Sequence, residues 1–219
     1  MINEEILTFL RQLAANNNRD WFQANKERYD RLRLAFIDEV QQLIERLAVV
    51  DPTVAGVEAK DCLYRIYRDI RFSPDKTPYK IHFAAYIAPG GRSSERGGYY
   101  LHLQPDECML SGGIWCPPMP LLKRLRRDIY DNIDEFRAIL DNPAFRQVYG
   151  GLEGETLKRM PQGYPMDSPH ADIMRHKDFV VAAHKEDGFF CQPDWLDRTA
   201  EELALIHPLN EFLNYTFEE

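Results

Sequence analysis

Apolar positions change period several times along this chain, and each change marks an element. Ile6, Phe9, Leu10 and Leu13 recur at helical spacing until Asn16, Asn17 and Asn18 interrupt them, so a first helix is expected to end near Ala15. Asn18 or Asp20 can cap a second, longer helix. Its apolar stripe runs through Trp21, Phe22, Tyr29, Leu32, Phe36, Val40, Leu43, Ile44 and Leu47 and stops at Asp51-Pro52. Arg19, Lys26, Arg28 and Arg31 then solvate the opposite face.

From Cys62 the period shortens toward two. Cys62, Tyr64, Ile66, Ile70 and Phe72 form one face of an expected strand, with Leu63, Arg65, Tyr67, Asp69 and Arg71 on the other. Arg68 breaks the pattern by falling on the apolar side, where a guanidinium requires a carboxylate or several carbonyls. Ser73-Pro74-Asp75-Lys76-Thr77-Pro78 is turn chemistry, and Tyr79 to Ala88 alternates cleanly enough to complete a hairpin. The glycine-rich stretch from Pro89 to Gly98 reads as a mobile loop placed to act as a lid. Tyr99 to Gln104 and Met109 to Trp115 supply two further strands, with Gly112-Gly113 suggesting a bulge or a close backbone approach.

Beyond Pro120 the helical period returns through Leu121, Leu122, Leu125, Ile129, Ile133, Phe136 and Leu140. Asn142-Pro143 opens a short helix that Gly150-Gly151 ends, the cationic loop from Leu157 to Pro165 borders a site, Phe179 to Ala183 adds an edge strand, and Trp195 to Ile206 forms a last helix. The expected architecture is α+β. A central antiparallel meander of four to six strands is flanked by helices in a single domain, with N-terminal helices over 3–50, the sheet over 60–117 and a helical part over 118–219.

Composition narrows the function. The chain has 219 residues with 44% hydrophobic and 28% charged content, enough for one good core. A formal charge of −8 argues against a protein that coats nucleic acid or an anionic membrane. The N-terminal stretch lacks a basic region followed by an apolar run, and no segment approaches the roughly 18 apolar residues of a membrane span. A soluble, cytoplasmic protein is expected. Cys62, Cys108, Cys116 and Cys191 lack paired-ligand spacing and read as reduced, mostly buried thiols.

Against that acidic background, Lys60 to His82 is the one dense run of cations, with Lys60, Arg65, Arg68, Arg71, Lys76 and Lys80 interleaved with Asp61, Asp69, Asp75 and four aromatic rings. Nucleotide-binding glycine patterns, the G-x-S-x-G elbow and the zinc spacings are absent, so no metal site and no particular cofactor are indicated. Two readings follow. In the first, Arg65, Asp69, Arg71, Lys76, Lys80 and Tyr100 bind a small phosphate- or carboxylate-bearing metabolite, with His82, His102 and Asp69 as candidate acids or bases. In the second, the Arg/Asp cluster is an internal ion-pair network of a non-enzymatic module, with Trp21, Phe22 or Trp115 contributing a partner surface. A nucleic-acid-processing role ranks behind both because of the acidic total. Oligomeric state is left open.

These residues also carry a resemblance. Asn16-Asn17 with Arg19-Asp20-Trp21-Phe22, the run Tyr64 to Ser73, Asp75-Lys76, Thr77 to Lys80, Pro89-Gly90-Gly91, Tyr99-Tyr100, Gly112 to Trp115 and Leu157-Lys158-Arg159 together resemble the domain-of-unknown-function family 2461. The likeness spans nearly the whole chain and implies a single-domain protein of bacterial and fungal type. It implies no catalytic residue, since the family has no established activity.

Overall fold

The structure is a computed structural model and describes residues 1–218. Helix α1 spans Ile2–Ala15 as expected. The second expected helix is two: α2, Arg19–Ala24, capped by the Asn18 side chain accepting from the Trp21 amide, and α3, Lys26–Leu47. Asn25 separates them, its amide shared between the Trp21 and Phe22 carbonyls, while the apolar stripe continues across the break. Asp51 accepts from Thr53 N at a 3₁₀ turn, and α4 covers Ala59–Cys62.

The sheet contains β1 (Phe83–Ile87), β2 (Gly98–Leu103), β3 (Cys108–Ile114) and β4 (Phe179–Lys185), antiparallel and in that order. The expected first strand is not a member. Residues 63–68 run beside β1, joined only by bridges from Leu63 to Ala85 and from Tyr67 to Tyr79. The two bridges belong to registers offset by two residues, so no continuous ladder forms. Beyond them the tip projects, and Phe72 is 94% exposed where alternation placed it on the apolar face.

Helix α5 (Met119–Asp131) and α6 (Ile133–Leu140) divide the expected 121–140 helix at Asn132, and α7 (Pro143–Tyr149) starts where Asn142 accepts from Ala144 N and Phe145 N. Short α8 (Ala171–Met174) and α9 (Asp187–Phe190) flank β4. Helix α10 (Trp195–Ala204) ends slightly before Ile206, and α11 (His207–Tyr215) follows it, unanticipated because Pro208 resembles a terminator. Proline in a first turn costs no hydrogen bond, since that amide has no intrahelical acceptor.

One face of the sheet is buried. Phe83, Ala85 and Ile87 align with Leu103, Leu101 and Tyr99, which continue into Leu110, Gly112 and Ile114 and then Ala183, Val181 and Phe179. Phe83 meets Tyr29 and Phe36 of α3 at ring separations of 5.9 and 5.4 Å, and Phe179 meets Phe136 of α6 at 6.1 Å. Gly112 leaves room for Ile206, whose methyl would lie 2.9 Å from an added Cβ.

The glycine-rich loop is not a lid. Gly97 N donates to Asn214 Oδ1 at 2.7 Å, Asn214 Nδ2 returns a bond to Gly97 O at 3.1 Å, and Tyr86 Oη donates to Arg96 O at 2.6 Å. These bonds and the burial of Gly91, Gly97 and Gly98 dock the loop, with Gly97 on α11, Arg96 and Gly98 on β1 and Gly91 against Asp61 of α4. All four cysteines are unpaired, with Cys62 and Cys108 buried and Cys116 exposed. Among the described residues no helix is long and apolar enough to cross a membrane.

Gly113 combines φ of +104° with a Cβ position only 2.1 Å from Phe179 O, whereas Gly163 has φ of +98° in open space. Gly113→Ala is therefore expected to cost roughly 3 kcal/mol or more and Gly163→Ala about 1 kcal/mol, a contrast readable by denaturant titration.

Candidate functional site

The basic run divides into two parts with different partners. At the projecting tip every charge is satisfied locally. Arg71 Nε and Nη2 donate to Asp69 at 2.9 and 2.6 Å, and Lys76 Nζ donates to Ile70 O at 2.9 Å. Arg68 bonds the Asp75 carboxylate, the Thr77 hydroxyl and, at 3.2 Å, the Thr77 carbonyl. That is the carboxylate-and-carbonyl environment its place in the sequence demanded, although the side chain is half-buried rather than in the core. Asp75 is held down to about 2, first by the Thr77 amide and then by the Arg68 guanidinium. Asp69 is lowered chiefly by its bond to Arg71.

Arg65 and Lys80 form the second part, at the root of the arm. Neither makes a side-chain hydrogen bond or ion pair among the described residues. Lys80 Nζ instead lies 5.2 Å from the centre of the Tyr64 ring, a cation–π contact. Its pKa is lowered by burial and then by the positive charge of Arg65.

The uncovered sheet face continues this patch. Strand alternation aligns Ala84, His102, Met109 and His184 in one row across β1 to β4, and Tyr86, Tyr100, Ser111 and Ala182 in the next. Tyr64, paired to β1 through its amide and Ala84 O, stands edge-on to Tyr100 at 6.2 Å and 77°. His82 packs against His102 with ring centres 4.5 Å apart. Gln104 Nε2 donates to Glu107, so Gln104 Oε1 is the atom that faces His102 Nε2 at 3.4 Å and assigns the ring proton to Nε2; Nδ1 is then left to accept from the Tyr100 hydroxyl at 2.8 Å. His82 is pushed down to about 4 by burial, then by His102 and Lys80, and burial also lowers His102. Both imidazoles are neutral at pH 7.

A cleft of about 780 Å³ opens beside His102, with Met109, His184 and Lys185 also lining it and Arg11, Asp106 and Asp187 at its rim. Arg11 is paired to Asp187 and Lys185 to Glu202.

Of the residues singled out from sequence, Arg65, Lys80, Tyr100, His82 and His102 therefore converge, while Asp69, Arg71 and Lys76 are occupied at the tip. Asp69 touches neither histidine. Phe22 is core, stacked on Tyr79 at 4.0 Å, whereas Trp115 is 76% exposed. The 157–165 loop packs away from the site, with Tyr164 against Tyr130 at 5.0 Å. Met109 and His184 escaped notice because their link to His102 is a register across strands far apart in sequence. Among the described residues no group of three or more His, Cys, Asp or Glu could hold a metal ion.

The family model described as a conserved hypothetical protein (DUF2461) matches residues 5–212, and the chain belongs to that family. No curated protein and no solved structure matches it.

Arg68→Ala should lower the melting temperature by about 2–4 °C, because it removes the bonds that join Arg68 to Asp75 and to the Thr77 hydroxyl and carbonyl, while Asp75 keeps its bonds from Thr77. Arg65→Ala should leave it within about 1 °C, since no partner is lost. His82 binds its proton more weakly in the folded chain than in the unfolded one. Its contribution is thus complete above pH 6.5 and lost as pH falls toward about 4. Acid unfolding of His82→Gln should be less steep in that window, as followed by circular dichroism.

Proposed function

We propose that the protein binds a small phosphate- or carboxylate-bearing metabolite between Arg65 and Lys80, over the His82–His102 pair. The observation that carries this reading is two neighbouring cations that make no hydrogen bond or ion pair to a carboxylate, on a chain whose other cations in the run are ion-paired or hydrogen-bonded; Asp69, which feels the charge of Arg65, is itself held by Arg71. The charge of Arg65 adds to the burial that already lowers the Lys80 pKa, and an anion reverses the sign of that interaction. Arg65 supplies a planar fork, Lys80 a movable point charge, and the histidines neutral groups able to donate or accept protons. Tyr100 acts through His102 by holding its ring at Nδ1.

A second reading has its own support in the bonds of Arg68, Arg71 and Lys76, which favour a structural role for the tip. The two divide the run between them: scaffold from Arg68 to Thr77, binding at Arg65 and Lys80. The arrangement is compatible with either a binding protein or an enzyme that moves a proton through His82.

Sulfate tests this without titrating near neutrality. It should raise the melting temperature of the native chain and of Arg71→Ala, and leave Arg65→Ala and Lys80→Ala unmoved. Its affinity should increase as pH falls from 7 toward 5, because a bound anion raises the His82 pKa and favours the protonated ring. Equal stabilisation of all four proteins would show that sulfate acts nonspecifically and would remove the proposal.

A further inference from the structure

The row His102, Met109, His184 offers more than a boundary to the anion site. These residues are directly opposed across β2, β3 and β4, and all three line the same cleft of about 780 Å³. Adjacent strands lie about 4.8 Å apart, so two imidazoles and a thioether form a row about 10 Å long across the three strands. Such a row suits a planar π system: imidazole stacks on aromatic faces, and the polarizable methionine sulfur makes favourable contacts with them. The volume is that of a typical small-ligand site.

The electrostatics give the ligand a direction. Asp106, Glu107, Glu186 and Asp187 line the cleft, and its two cations are held by carboxylates, Arg11 by Asp187 and Lys185 by Glu202, so an anionic group is disfavoured there and is drawn toward Lys80, whose charge reaches His102 and Arg65. Carboxylates at the cleft can accept N–H donors from the edge of a ring. His102 joins the two regions, since it lines the cleft and packs on His82.

From this we infer that the cleft is a ring subsite, and that the metabolite is a nucleoside phosphate with an amino-bearing base stacked over His102, Met109 and His184. This rests on the anion site proposed above and specifies what the anion is attached to. A free nucleotide, rather than a polynucleotide, matches a net charge of −8 and acidic groups at the far end of the cleft, which oppose a continuing phosphate backbone.

Calorimetric titration of the full chain with adenosine 5′-monophosphate, ribose 5-phosphate and inorganic phosphate tests the inference. The adenine compound should bind about tenfold or more tightly than ribose 5-phosphate. His184→Ala, at an exposed position, and the uncharged Met109→Ser should each remove that advantage while leaving ribose 5-phosphate affinity unchanged. Lys80→Ala should weaken both. Equal affinity for the two sugar phosphates, or an advantage that survives His184→Ala and Met109→Ser, overturns the ring subsite but leaves the anion site standing. Absence of binding by inorganic phosphate and by ribose 5-phosphate removes the anion site, and the ring subsite with it. Binding of a single-stranded oligoadenylate without binding of the mononucleotide also overturns the inference. A melting curve of His184→Ala matching the native chain excludes misfolding as the cause of any loss.

Discussion

Each strand must send alternate side chains to opposite faces, and helices cover only one of those faces. Burying Phe83, Tyr99, Leu101, Leu110 and Val181 beneath α3, α6, α10 and α11 fixes the register, because a slip of one residue would exchange the faces along a whole strand. With the register fixed, Tyr100, His102, Met109 and His184 have no freedom to be anywhere but the open side. The open-face half of the candidate site follows from core packing, with Tyr100, His102, Met109 and His184 held on strands, while Arg65, Lys80 and His82 come from the segments that lead up to β1.

The same constraint accounts for the electrostatics. An open face of tyrosine, histidine and methionine is neither apolar enough to aggregate readily nor charged enough to need internal pairing. Lys80 stands at its margin, partly buried against Tyr64 with the exposed Arg65 nearby, whereas the tip of the arm neutralises itself. Exposed pairs such as Asp69 with Arg71 contribute little stability. Their effect is to shape the arm and to leave the unpaired charges concentrated at its root.

Helix positions were legible wherever an apolar stripe coincided with a local stop. Asn16 to Asn18, Asn142-Pro143 and Gly150 mark real boundaries, because capping and chain reversal depend on a few adjacent residues. Asn25 and Asn132 interrupt helices without interrupting the stripe, so periodicity alone fused their neighbours. The expected strand at 62–72 failed for a different reason. Leu63 and Ile66, opposite in parity, are both buried while Tyr64 and Arg65 between them are exposed, and pairing depends on the partner's register, which shifts between Ala85 and Tyr79. In the glycine-rich loop, composition suggested mobility, and the bonds that oppose it come from Asn214, more than a hundred residues away.

By itself, the sequence determined the α+β class, most of the secondary structure, the family, and the segment in which the cations are concentrated, because these depend on local periodicity and on motifs contiguous in the chain. It also determined that Arg68 requires partners, since that follows from the cost of burying a guanidinium. Tertiary structure alone decided which cations are paired and which are left without a carboxylate. It alone placed Met109 and His184 beside His102, and joined His82 to the Tyr100–His102 hydrogen bond. These are relations across strands and between distant turns, set by a register that the buried face dictates and that no single stretch of sequence contains.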